Sequence, residues 1–143
     1  MEFKDAGFFK ELLKIFKMET QEHIQEMLSG IPEIGRHQGT DAQFGVAETL
    51  HRAAHSLKGA ARTVGLSDIE PLCQGLESFF GLLKRQKVTL SPEFQEVLMR
   101  TVQELGGLLN SMDDEGKITG DKTELTRLIE EVQSKTVELA RSA

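Results

Sequence analysis

The chain has 143 residues, 38% hydrophobic and 28% charged, with a formal net charge of -6; this suits one soluble globular domain with its own core. The acidic balance argues against nonspecific binding to nucleic acid or to an anionic membrane surface, and no apolar run approaches the ~20 residues that span a bilayer. A single cysteine, Cys73, rules out an internal disulfide or a cysteine zinc cluster, and Met1-Glu2-Phe3-Lys4-Asp5 lacks a signal-peptide layout, so a cytoplasmic home is expected.

The first helix is expected over 5–29. Phe9, Leu13, Phe16, Thr20, Ile24 and Met27 recur at steps of three or four, the helical period. Asp5 is the candidate N-cap, and Ser29-Gly30-Ile31-Pro32 is expected to end the helix. The second helix is expected over 41–64, capped by Thr40 or Asp41. Phe44, Ala47, Leu50, Ala54, Leu57, Ala61 and Val64 make one continuous apolar face, and Gly65 is a natural stop. The third is expected over 67–86, with Ser67-Asp68-Ile69-Glu70 read as a capping box, or with Pro71 as its first residue. Ile69, Leu72, Cys73, Leu76, Phe80 and Leu83 form its stripe. Lys84-Arg85-Gln86-Lys87 brings positive charge to its C-terminal end.

Ser91-Pro92-Glu93 opens the fourth helix, expected over 92–112, with serine as cap and proline at the first position. Its face is Phe94, Val97, Leu98, Val102, Leu105, Leu109 and Met112. Gly106-Gly107 weakens it by up to ~1 kcal/mol per glycine, which close helix packing there would explain. The acidic loop 113–116 is expected to be solvated. Asp121-Lys122-Thr123-Glu124 reads as a further capping box before a fifth helix, expected over 122–140, with Leu125, Leu128, Ile129, Val132 and Leu139 on its stripe. No segment alternates with period two for long. The fold class is all-α: a single domain over 1–143, an antiparallel four-helix bundle with an additional C-terminal fifth helix.

The second helix carries Arg52-Ala53-Ala54-His55-Ser56-Leu57-Lys58-Gly59-Ala60-Ala61. At ~100° per residue, His55 lies about 130° from the centre of the apolar stripe, on the solvent side. His51, Lys58 and Arg62 share its ridge. Gly59, one turn on, exposes bare backbone at a helix-interior cost that asks for a reason; close approach of a docking partner is one. A ring so placed suits reversible phosphorylation of a ring nitrogen. Most surface histidines do nothing, and Lys58 and Arg62 alone read as a solvated face. His51 and His55 have the spacing of a helical zinc pair, but Arg52 stands where the metalloprotease helix has glutamate, and the neighbourhood is cationic. No metal site is expected.

His55-Ser56-Leu57-Lys58-Gly59, followed by Thr63-Val64-Gly65-Leu66, resembles the histidine phosphotransfer (HPt) domain. It is most like the N-terminal phosphotransfer domain of CheA-type chemotaxis histidine kinases. The likeness covers nearly the whole chain, including an opening helix rich in Phe, Leu and Glu. The resemblance implies that His55 is the phosphorylated residue, that Lys58 lies near the phosphoryl group, and that Gly59 gives access to partner domains. It implies that Glu77 orients the imidazole by bonding its other nitrogen, with Gln74 at an often polar position on the same helix. His51, Arg62 and Gln74 join Gly59 as expected docking residues. Ala60, Arg62 and Val64 depart from the family pattern, which bears on docking detail.

The chain carries no glycine-rich phosphate loop, so it is expected to be a phosphoryl acceptor and donor with no bound cofactor. Mg-ATP would be used by a partner histidine kinase catalytic domain, and response-regulator receiver domains would take the phosphoryl group. Two alternatives are an HPt module of a hybrid multistep phosphorelay and a non-catalytic helical interaction bundle.

Overall fold

The computed structural model describes residues 6–142; Asp5, the expected cap of the first helix, lies outside them. Five helices follow in order: α1 (Ala6–Arg36), α2 (Ala42–Thr63), α3 (Glu70–Leu83), α4 (Pro92–Asn110) and α5 (Thr123–Arg141), with no strand among the described residues. In space α1 packs on α2 and α4, α2 on α3, and α5 against both α3 and α4. The fifth helix therefore lies across the α3–α4 side of the bundle and buries Leu125, Leu128, Ile129 and Val132 there.

The first helix runs seven residues beyond its expected end, through Pro32. Ile31 and Ile34 explain this, each only 1% exposed. Full burial of an isoleucine contributes about 1.5–3 kcal/mol, so the pair offsets the ~3 kcal/mol that a helix-interior proline costs. Gly30 does not break the helix either. A Cβ there would stand 2.6 Å from Leu50 Cδ2, so the glycine lets α2 approach.

Side-chain caps form at only some of the expected places. Asp41 holds the cap position of α2, but neither it nor Thr40 makes a side-chain cap bond: the Thr40 hydroxyl donates to the His37 carbonyl, and the Asp41 carboxylate pairs with Lys87. Gln43 secures that end instead. Fully buried, it accepts from the Gly39 N–H and donates to the carbonyls of Leu83 and Gln86, joining the α1–α2 turn to the end of α3. It takes the buried place expected for Phe44, which is only partly covered. Gly65 ends α2 as expected, with φ of 81° and the Leu66 N–H bonded to the Ala61 carbonyl at 2.8 Å.

The Ser67–Glu70 box does not form. Ile69 holds the cap position in helical backbone geometry with no side-chain bond, and Pro71 falls in the first turn. The helix stops at Leu83, so Lys84 is its cap residue and 85–87 lie beyond it. Ser91 does cap α4, its hydroxyl accepting from the Phe94 N–H at 3.1 Å. That helix ends at Asn110, two residues early. Close packing explains Gly106, where a Cβ would meet Ile24 Cγ2 at 2.9 Å, but not Gly107, which has open space beside it. The acidic loop is an ordered turn: Asp113 accepts from the N–H groups of Glu115 and Lys117. Asp121 accepts from Thr123, and Glu124 turns toward Arg127 and Arg100 and does not close a box.

Candidate functional site

The site rests on the pairing of α2 with α3. The two helices pack against each other; α2 buries Leu50, Ala54, Leu57 and Ala61, and α3 buries Leu72, Cys73, Leu76 and Phe80. The rotation of the two helices against each other fixes which polar residues face each other at the rim. His55 projects from α2 with its side chain 65% exposed, as the helical rotation predicts. Glu77 rises from α3 opposite it, its side chain only 12% exposed.

The two side chains meet. His55 Nδ1 and Glu77 Oε1 are 2.9 Å apart. A carboxylate can only accept, so Nδ1 carries the proton and donates. Nε2 is then left with its lone pair, on the exposed side of the ring. The second oxygen of Glu77 holds Lys58 Nζ at 2.7 Å. Lys58 also donates to Gln74 Oε1 at 2.9 Å, and the Gln74 amide donates to the Ser78 hydroxyl at 2.9 Å. Burial pushes the Glu77 carboxyl up, but its bonds from Lys58 and His55 outweigh that and hold it below its ordinary value. Glu77 is therefore a fixed anion that orients one ring nitrogen while anchoring a lysine.

Lys58 is less exposed than a ridge residue should be. Its side chain is 14% exposed because it lies back along α3 toward Glu77 and Gln74. Gly59 behaves as expected, with nothing within 4 Å of where a Cβ would stand. Arg62 points outward and pairs with Glu70. That pairing lowers the Glu70 carboxyl and raises the Arg62 guanidinium. His51 turns toward the far end of α3, where Lys84 and Gly81 meet it. A groove of about 740 Å³ between α1 and α2 includes none of these residues in its lining, so the candidate site is an exposed ridge, not a cleft.

Four participants escape the sequence reading. Ser78 ends the hydrogen-bonded chain from Glu77 through Lys58 and Gln74, and its spacing of four from Gln74 was a usable signal. Glu70 reads from the sequence as part of a capping box, and no spacing in the sequence connects Glu48 and Lys84 with His51. No group of three or more His, Cys, Asp or Glu side chains among the described residues is placed to hold a metal ion. Cys73 takes no part: it is fully buried and its thiol is pushed up to about 12, by burial first and then by Glu70 and Glu77. No helix among the described residues is long and apolar enough to cross a membrane.

Comparison with known proteins bears on the family and the fold. Residues 11–135 match the model of the Hpt domain family. The chain is 26% identical over 124 residues to the chemotaxis protein CheA of Treponema pallidum (strain Nichols), covering 87% of this chain and 15% of that protein. It is 30% identical over 129 residues to the gliding motility regulatory protein of Myxococcus xanthus, covering 89% of this chain and 16% of that one. The chain thus spans about a sixth of the length of the curated relatives it matches. Its fold matches the phosphorylated P1 domain of CheA3, solved in complex with CheY6 from R. sphaeroides. The TM-score is 0.74 at 22% identity, over 91% of this chain and 98% of that one.

Proposed function

The chain belongs to the Hpt domain family, and from that premise we propose that His55 is its phosphoryl-carrying residue, charged by a histidine kinase catalytic domain and discharged to a response-regulator receiver. The contact that carries this reading is the 2.9 Å bond from His55 Nδ1 to Glu77. It leaves a lone pair on the exposed nitrogen and a carboxylate behind the ring.

In the forward step Nε2 attacks the γ-phosphorus of ATP held by the kinase domain. The bond from that phosphorus to the bridging oxygen breaks and ADP leaves. The ring keeps its Nδ1 proton and becomes positive, and Glu77 stabilises that charge, as the aspartate does in a hydrolytic triad. Nε2 is relieved of the phosphoryl group when an aspartate of a receiver attacks it. Phosphoryl transfer asks mainly for positioning and charge stabilisation, so Mg²⁺ and most of the electrostatics belong to the partners. Lys58 lies one turn from His55 and supplies a positive charge near the incoming dianion. Gly59, with open space beside it, supplies backbone that a partner can approach. Arg62, Gln74 and His51 flank the same surface, and a cytoplasmic setting, where ATP is available, fits the reading. The kinship with CheA proteins favours a CheA-type kinase as the context.

The test is acid-labile phosphate. The wild-type protein, incubated with a CheA-type catalytic domain and labelled ATP, should take up one phosphoryl group, which a receiver domain with Mg²⁺ then removes. His55→Gln should stay folded and take up none. Undiminished labelling of His55→Gln would sink the proposal.

A further inference from the structure

The ridge of α2 bears two histidines one turn apart, and the structure surrounds them in opposite ways. His55 faces a carboxylate. His51 faces an ammonium: Lys84 Nζ stands 3.4 Å from His51 Nδ1. An ammonium can only donate, so this Nδ1 must be the bare acceptor nitrogen and Nε2 must carry the proton. Lys84 is not free to turn away, because Glu48 Oε2 holds it at 2.7 Å. The Nε2–Cδ2 edge of the same ring lies over Gly81, where a Cβ would stand 3.3 Å from Cδ2 and 3.4 Å from Nε2. The bare nitrogen of His51 is thus turned toward Lys84, and the protonated one toward α3. Neither offers a free lone pair to an incoming phosphorus.

We propose that Lys84, anchored by Glu48, holds His51 in the opposite tautomer from His55 and so confines phosphorylation to one of the two ridge histidines. Lys84 is then a specificity-determining residue that acts through His51, and Gly81 is the berth that lets the ring lie in that orientation. The charge environment agrees. Desolvation, then Lys84, holds the His51 ring below its ordinary value, against a weaker pull from Glu77 and Glu48. The ring is therefore neutral near pH 7, and a neutral ring has one tautomer or the other. The inference rests on the reading of His55 as the phosphoacceptor.

The tautomers can be read directly. Long-range ¹⁵N–¹H correlation spectra of the wild-type protein at neutral pH should show the unprotonated nitrogen at Nδ1 in His51 and at Nε2 in His55. Phosphoramidate then tests the consequence without a kinase: a ring lone pair attacks its phosphorus, the P–N bond breaks and ammonia leaves. His55→Gln should take up no phosphoryl group. His55→Gln combined with Lys84→Met should take up phosphate at His51, at least about tenfold faster than His55→Gln alone, since a charge-assisted bond no longer fixes the wrong tautomer. His55→Gln with Lys84→Arg, which keeps a donor in place, should stay dark. The inference is overturned by an Nδ1–H tautomer of His51 in the wild-type spectrum, by labelling of His51 in His55→Gln, or by a dark Lys84→Met double variant. If the wild-type protein takes up no phosphate at all, the reading of His55 fails, and the spectrum still decides what Lys84 does.

Discussion

Glu77→Gln is the substitution that asks most of the candidate site. Glu77 is engaged twice, by the hydrogen bond from His55 Nδ1 at 2.9 Å and by the ion pair with Lys58 Nζ at 2.7 Å. A glutamine keeps the size but has only one accepting oxygen, and its other terminal atom donates. An ammonium can only donate, whereas an imidazole nitrogen can also accept, so Lys58 takes the oxygen. The amide N–H₂ then faces Nδ1, which can respond only by becoming the acceptor. The proton moves to Nε2 and the nucleophilic lone pair is lost. A hydrogen bond to a charged group contributes about 1.5–3 kcal/mol. The His55 side chain is 65% exposed, and water competes for both nitrogens, so the discounted effect is ~1–2 kcal/mol. That is a fall of roughly 5–30-fold in the rate of phosphorylation. Phosphoramidate labelling followed by ³¹P NMR measures it without any contribution from partner docking, and ¹⁵N spectra report the His55 tautomer in the same sample. Glu77→Ala should lose less, because water can accept from Nδ1–H where an amide N–H₂ cannot. A Glu77→Gln rate within twofold of wild type, with Nδ1 still protonated, would refute the argument.

The remaining predictions concern stability and accessibility. Gly30→Ala brings a Cβ to 2.6 Å from the Leu50 side chain in the core and should destabilise by about 1–3 kcal/mol through overpacking, read as a lower urea midpoint. Gly59→Ala meets nothing within 4 Å, so it should stabilise by about 0.5–1 kcal/mol while slowing transfer to a receiver; a lower urea midpoint would contradict the open space at that position. The Glu77 carboxyl lies below its ordinary value of 4.5 in the folded chain, so its stabilisation is complete above that value and is lost as pH falls through the folded one. The stability difference between wild type and Glu77→Gln should therefore be constant near pH 7 and shrink below about pH 4.5 in denaturant titrations; a difference that grows on acidification would reverse the assigned sign. Cys73 is fully buried, with its thiol pushed up to about 12, so Ellman's reagent should react with it only after unfolding.

The helices were legible wherever apolar spacing alone decides. All five elements, the stripe of α2 and the cap at Ser91 can be read from the chain because each depends on residues within one or two turns. The failures share a cause. Pro32 reads as a stop until Ile31 and Ile34 are known to be buried by other helices. Thr40, Asp41 and Ser67 read as caps until tertiary partners, or a tighter backbone turn, take over their work. Gln43 reads as a surface residue, yet it is fully buried because three backbone groups from two other segments need its amide. Local propensity cannot express a partner that arrives from forty residues away.

The site divides along the same line. The outward rotation of His55 and the bare backbone at Gly59 follow from the geometry of one helix, and sequence suffices for both. Glu77 needed the family likeness, because whether a carboxylate on α3 meets a ring on α2 depends on how the two helices are rotated against each other. Lys58 shows what neither source supplied. A helical wheel places its Cα on the exposed ridge, but four methylenes let the charged end reach back to Glu77 and Gln74. One carboxylate consequently serves two tasks, fixing a proton on His55 and tethering the cation beside it. Any phosphoryl group arriving on Nε2 meets a lysine that already has an anionic partner. If His55 carries the phosphoryl group as proposed, the charge that Lys58 would lend it is shared with Glu77, which would weaken its pull and favour a carrier that can also give the group away.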